Sequence, residues 1–241
     1  MKRSFSKPDS ALVIAAHPDD AEFQCGATLA KWAASGTTVH YLICTDGSKG
    51  TWDPDTDQKA LVIARQEEQI AAARSLGSTG SVLFLEQIDG ELQSDLATRS
   101  QVAKAIRQLR PDAILGHDPW RRYRLHPDHR HAGLLAIEGI VAARDPLFFP
   151  EHALDPHRPA VVLLFEAEEP DHAEEVTGWA SAKSAALLEH RTQFITTHGI
   201  GDPHDNEQVR AFESRIEQEL SDAGQPYGLG SAELFKVILD L

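Results

Sequence analysis

Apolar runs and helical periodicities alternate along this chain. Residues 11–16, "ALVIAA", are continuously apolar with no polar alternation, the pattern of a strand buried on both faces. The stretch 22–35 reads as a helix, and "TVHYLICT" (38–45) as a second strand. A polar loop, "DGSKGTWDPDTD", leads to a helix over 59–76 that Gly77 ends. "SVLFLE" (81–86) predicts a third strand, and 94–110 a helix stopped by Pro111. A fourth strand falls at "DAILGHD" (112–118), a helix at 126–143, and a fifth strand at "AVVLLFEA" (160–167). Helical stretches near 178–193 and 205–223 follow, and the closing "AELFKVILDL" fits strand or helix. Apolar strands with intervening helices predict an α/β fold: a Rossmann-like, doubly wound and mainly parallel sheet of about five or six strands, with helices on both faces.

No internal repeat or linker divides this pattern, so residues 1–241 are expected to form a single domain. "ARDPLFFPEHALDPHRPA" (143–160) is Pro-rich and irregular. It reads equally as an ordinary long connection and as a surface excursion near a site or a subunit contact. Hydrophobic residues make up 41% of the chain, ample for a core. The balance of 23 basic against 37 acidic residues, a net −14, argues against nucleic acid or anionic membrane as general partners. A small anionic substrate stays open, because a few local arginines can overcome the mean field. Cys25 and Cys44 lie in or beside apolar runs and read as small buried hydrophobes, not a disulfide framework. The apolar run after the basic start is too short for a secretory leader or a membrane span, so a cytoplasmic protein is expected.

Polar chemistry concentrates at two strand ends. "HPDDAE" follows the first strand and carries His17, Asp19, Asp20 and Glu22. "GHDPWRRYRLHPDHRH" follows the fourth and carries His117, Asp118, His126, Asp128, His129 and His131. In open α/β sheets ligands bind beyond the carboxyl ends of strands, where the strand order reverses. With the common order 3-2-1-4-5 these segments share one crevice. His126 and His129 are three apart at a helix start, where Pro127 suits the first turn, so their side chains can lie on one face. Imidazole with carboxylate favours Zn²⁺ or another first-row divalent ion, and two histidines with one carboxylate would satisfy a catalytic site. The acids of the first segment then need not repel one another, since a dication organises them.

At these residues the sequence strongly resembles the PIG-L/LmbE-like zinc deacetylases. The similarity runs from about 12 to 140 through Ala16-His17-Pro18-Asp19-Asp20 and His126-Pro127-Asp128-His129, and includes "TDGSKGT" and "ARQEEQIAAARSLG". The resemblance implies His17, Asp20 and His129 as zinc ligands and Asp19 as general base. It implies His126 as oxyanion stabiliser or acid, Asp128 as its orienting partner, and Arg65 as a substrate-binding residue. It also implies hydrolysis of an N-acetyl group on an amino sugar or a GlcNAc-containing conjugate, a small-molecule partner. Relatives range from monomers to hexamers, so a homo-oligomer is open. One departure is Ala21 directly after the AHPDD motif, with Glu22 next, where many members carry Glu at once; none of the implied ligands changes.

Other readings stay open on sequence. The acyl group could be larger than acetyl, or the substrate a thiol conjugate. A metal-dependent phosphohydrolase would need more bridging carboxylates, and a non-catalytic binding protein would lack a base or a ligand. "GSKGT" (47–51) resembles a phosphate-cradling loop without a full nucleotide fingerprint. Arg121, Arg122 and Arg124 either hold an anionic or sugar substrate or form salt bridges within an acidic protein. His152, His157, His172, His190, His198 and His204 are scattered singly and read as solvated or structural.

Overall fold

The structure is a computed structural model that describes residues 5–239 and 241. Lys2 and Arg3 of the basic start lie outside them, whereas all but the last residue of the short apolar run read above falls in the first strand. β1 (Ser10–Ala15), β2 (Thr38–Thr45), β3 (Val82–Gln87), β4 (Ala113–His117) and β5 (Val161–Phe165) pair in parallel. The final apolar segment resolves as strand β7 (Ala232–Ile238), antiparallel to β5. β6 (His172–Glu175) then pairs antiparallel with β7. Among the described residues the sheet has seven strands in the order β3-β2-β1-β4-β5-β7-β6, against about five or six expected. The added strand, β6, reads "HAEE", a short edge segment with no apolar run to announce it.

Alternation along β1 explains both layers. Ala11, Val13 and Ala15 pack into a core that includes Leu29, Trp32 and Ala72 of α1 (Asp20–Ala34) and α2 (Gln58–Ser75). Leu12 and Ile14 pack on the other face with Val102, Ile106, Leu135 and Ile140 of α3 (Leu96–Leu109) and α4 (Pro127–Arg144). A third cluster joins Ala27 of α1 to Leu187 of α5 (Ala180–Leu187) and to Phe212, Ile216 and Leu220 of α6 (Asn206–Gly224). α5 is much shorter than the 178–193 expected, because the chain turns at His190 into a 3₁₀ turn (191–193) and then a wider π turn through His198.

Local polar contacts fix the parts that hydrophobic pattern leaves open. α1 kinks at Cys25, whose φ of −147° is not helical. The buried Glu233 of β7 accepts from the N–H groups of Ala27 (3.1 Å) and Thr28 (2.8 Å) just past the kink, and Lys183 neutralises it at 2.8 Å. The Pro-rich segment after α4 is held by Arg107, a buried side chain. It donates to the carbonyls of Ala142, Ala143, Asp145, Phe148 and Phe149 at 2.8–3.2 Å. That one guanidinium thereby satisfies the open carbonyl end of α4 and shapes the turn that follows. Among the described residues no helix is long and apolar enough to cross a membrane.

Candidate metal centre and reaction pocket

The strand order reverses between β1 and β4, and the polar segments following these two strands meet there. α4 lies directly on the end of β4: a Cβ at Gly133 would come 2.5 Å from the His117 carbonyl oxygen. This close approach seats the start of α4, with His126, Asp128 and His129, over the end of β1. A cavity of about 480 Å³ opens at this point, lined by His17, Asp19, Asp20, Asp89, His126 and His129 among others.

Asp20 is the centre of the cluster. Its Oδ2 lies 3.2 Å from His17 Nδ1 and 3.4 Å from His117 Nε2, and its Oδ1 lies 3.3 Å from His129 Nε2. His17 Nε2 in turn faces Asp128 Oδ2 at 3.1 Å and Asp89 Oδ1 at 3.3 Å. Donor atoms of His17, His126 and His129 lie within 4.8 Å of one another, as do those of His17, Asp89, His126 and Asp128, and those of Asp20, His117 and His129. Asp128 makes its hydrogen bond to His17, whereas the resemblance implied His126 as its partner. It also accepts from the N–H groups of Gly90 (2.6 Å) and Leu92 (3.2 Å), so it ties the loop after β3 to α4.

Proton affinities reflect this crowding. Burial pulls the His17 pKa down, but hydrogen bonds to Asp128, Asp20 and Asp89 outweigh it and hold His17 well above its ordinary value. Burial likewise opposes ionisation of Asp20, and the charge and hydrogen bonds of His117 and His17 overcome it, keeping its pKa well below the ordinary range. His17 and His117, faced by carboxylates, thus hold a proton more tightly than a free imidazole. The same set of nitrogen and carboxylate donors suits a first-row divalent ion, which would take the place of those protons.

Asp19 stands apart from its neighbour. Its φ of 98° places it in the left-handed region, uncommon for a residue with a side chain, and so turns its carboxylate away from that of Asp20. The Asp19 N–H donates to Gln69 Oε1 (3.0 Å), and Gln69 Nε2 donates to Glu22 Oε1 (2.8 Å). The other oxygen of Glu22 faces His190 Nε2 at 3.3 Å, all within the core. Burial raises the Asp19 pKa to about 6; the Arg65 guanidinium, 3.5 Å away, pulls it down, and Asp20 pushes it up. Glu22, read as a helix-terminus acid or a supporting residue, therefore belongs to the scaffold that fixes Asp19.

Arg65 lines the cavity, but its contacts are with the protein. It donates to the carbonyls of Pro18 (2.6 Å) and Gly47 (3.0 Å) as well as facing Asp19. Gly47 and Gly50 of the "GSKG" loop make room for it: a Cβ at Gly50 would come 2.1 Å from Arg65 Nη1. The glycines that suggested a phosphate cradle serve this packing. The three arginines of 121–124 face carboxylates: Arg121 and Arg124 reach Glu166 Oε1 at 3.6 and 2.6 Å, and Arg122 Nε reaches Glu168 at 2.6 Å.

Sequence reading missed several members of this site. Glu166 contacts His117 Nδ1 (3.0 Å) and His129 Nδ1 (3.5 Å), so one carboxylate steadies two imidazoles. Its signal was its place at the carboxyl end of β5, next to β4. Asp89 follows β3 in the same way. His172, His190 and His198, expected to be solvated or structural, are all buried. His190 packs behind Asp19 from a segment with no motif to mark it.

The family model for PIG-L, described as GlcNAc-PI de-N-acetylase, matches residues 12–140, more than half of the chain. This chain belongs to the PIG-L family. Diacetylchitobiose deacetylase of Thermococcus kodakarensis is 35% identical over 193 residues, 79% of this chain and 72% of that one. A 1D-myo-inositol 2-acetamido-2-deoxy-alpha-D-glucopyranoside deacetylase of Streptomyces avermitilis is 31% identical over 169 residues, 60% of this chain and 57% of its own length. Among solved structures, N,N'-diacetylchitobiose deacetylase of Pyrococcus horikoshii superposes on 96% of this chain and 84% of that one, with a TM-score of 0.85 and 28% identity. The PIG-L match ends before β5, so Glu166, His190 and Gln193 lie beyond it.

Proposed function

We propose that this PIG-L family member is a metal-dependent hydrolase that removes the N-acetyl group from a GlcNAc-type amino sugar or conjugate. In this reading residues 1–241 act as a single domain, in the cytoplasm, on a small-molecule substrate. The observation that carries it is the divergence of two adjacent carboxylates: Asp20 sits among His17 and His129, while left-handed Asp19 turns toward the cavity beside Arg65.

His17, Asp20 and His129 would hold the ion, preferably Zn²⁺, with His117 and Glu166 fixing the ligands from behind. A divalent cation there supplies Lewis acidity to water and to the amide carbonyl. Asp19, with a pKa of about 6, is ionised at neutral pH yet basic enough to take a proton from the attacking water. As the new C–O bond forms, the N–H of His126 points a hydrogen bond at the oxygen that gains charge. Burial lowers the His126 pKa, so it acts as a neutral N–H donor in place of an imidazolium. The proton held by Asp19 then passes to the leaving nitrogen as the C–N bond breaks, releasing a free amine and acetic acid, whose remaining proton is lost to give acetate at neutral pH. Arg65 and Gln69 keep Asp19 aimed throughout.

Metal content by mass spectrometry, read beside amine release from N-acetylglucosamine and its conjugates, tests this reading. The Asp19→Asn variant should keep its metal and lose roughly 10²–10⁴-fold in rate. Zinc without amine release from any acetylated sugar would reject the proposed substrate class. Failure to take up any divalent ion would reject the ligand set.

A further inference from the structure

We propose that the loop 48–57 and the first turn of α2 form a second sugar subsite beside the reaction pocket, with Trp52 as its stacking platform. This rests on the deacetylase reading and deepens it: the substrate carries at least one further sugar ring beyond the one that bears the acetamide.

Trp52 is 74% exposed, although the loop that carries it is firmly built. The Asp53 N–H donates to Thr51 Oγ1 (3.1 Å), the Thr56 N–H to the Asp53 carbonyl (3.3 Å), and the two threonine hydroxyls meet at 3.3 Å. At the root of the loop, the Lys49 N–H donates to Asp89 Oδ2 (3.1 Å) and Gln193 Nε2 donates to the Gly50 carbonyl (3.0 Å). Asp89 and Gln193 themselves line the reaction pocket, so the loop is tied to the pocket wall. A large indole displayed to water on such a loop has no packing role in the fold.

Its surroundings indicate what it meets. A cleft of about 740 Å³ lies over the loop, and Lys49 lines both this cleft and the reaction pocket. Apart from Trp52 and Pro54 the lining is polar, with Ser48, Asp53, Thr56 and Lys59 offering hydroxyl, carboxylate and ammonium groups. One flat apolar face ringed by hydrogen-bonding groups matches a pyranose, which has a C–H face and equatorial hydroxyls. A protein-docking surface would show a contiguous apolar patch, which this cleft lacks. Binding energy gained from a remote ring raises kcat/KM for the longer substrate.

The readout is the ratio of kcat/KM for N,N'-diacetylchitobiose over that for N-acetylglucosamine. Trp52→Ala should lower this ratio about tenfold, the equivalent of about 1.4 kcal/mol, and Trp52→Phe should recover most of it. An unchanged ratio in Trp52→Ala overturns the subsite; if the oligomeric state by sedimentation changes instead, Trp52 serves a contact between copies. A binding titration separates this outcome from failure of the deacetylase reading. Disaccharide added to the Asp19→Asn protein should quench tryptophan emission saturably, and the added Trp52→Ala change should abolish most of the effect. If the wild type cleaves neither sugar, the proposed reaction falls while saturable quenching still upholds the subsite. Absence of quenching overturns it.

Discussion

His198 offers a test of how burial governs this protein near the pocket. Its ring is enclosed by Phe23, Phe194 and Phe212, with centroids 5.5, 5.3 and 4.8 Å away, and neither ring nitrogen has a hydrogen-bond partner among the described residues. Burial lowers its pKa to about 3, and the charges of His190 and Arg215 push in the same direction. In the unfolded chain the same side chain titrates near ~6.5. The unfolded state therefore binds more protons between these values, so this contribution to stability is complete above about pH 6.5 and is lost as the pH falls toward 3. At pH 5 the loss is RT ln(1 + 10^1.5), about 2 kcal/mol, and any folded value below about 4 gives the same result. Replacing His198 by Leu keeps a side chain of similar volume and removes the titration. Denaturant unfolding of both proteins at pH 7.5 and 5.0 measures the difference, with the wild type expected to lose about 2 kcal/mol more than the variant. Equal losses would refute the assignment of His198 as a buried neutral base. Gln193 and Thr197 of the same segment line the pocket, so acid should loosen that wall before the sheet opens.

Glu166→Gln should weaken divalent metal binding by roughly 10–10²-fold in a chelator competition, because the carboxylate that steadies His117 and His129 is lost. Arg107→Met removes the donor to five carbonyls, of which Ala143, Asp145 and Phe149 keep a backbone N–H and Ala142 and Phe148 lose their side-chain partner, and should cost about 3 kcal/mol in a denaturant unfolding assay. Gly50→Ala drives a methyl into Arg65, and should lower kcat/KM by roughly 10–10²-fold with metal content unchanged.

The parallel half of the sheet was readable because β1, β2 and β4 are buried on both faces, which leaves a continuous apolar run that few other structures tolerate. The motif residues at the ends of β1 and β4 were readable for the complementary reason: charged groups at the mouth of a core need a partner. β6 was not, since three of its four residues are polar or charged, which leaves no apolar run, and only tertiary packing buries His172 and Glu174. The kink at Cys25 was equally silent, because the group that stabilises it, Glu233, comes from the other end of the chain. The scattered histidines divided on the same principle. His190 and His198 sit between polar neighbours in sequence, and only the packing of α5 and α6 against α1 buries them.

The sequence by itself determined which chemical groups stand at the carboxyl ends of β1 and β4, because apolar patterning fixes where each strand stops. The tertiary structure decided which of those groups meet. It set Asp20 between His17 and His129, gave Asp128 to His17, and brought Glu166 and His190 in from beyond the recognisable motifs. It also set their proton affinities, since desolvation and Coulomb energy depend on distance and burial, and sequence separation encodes neither.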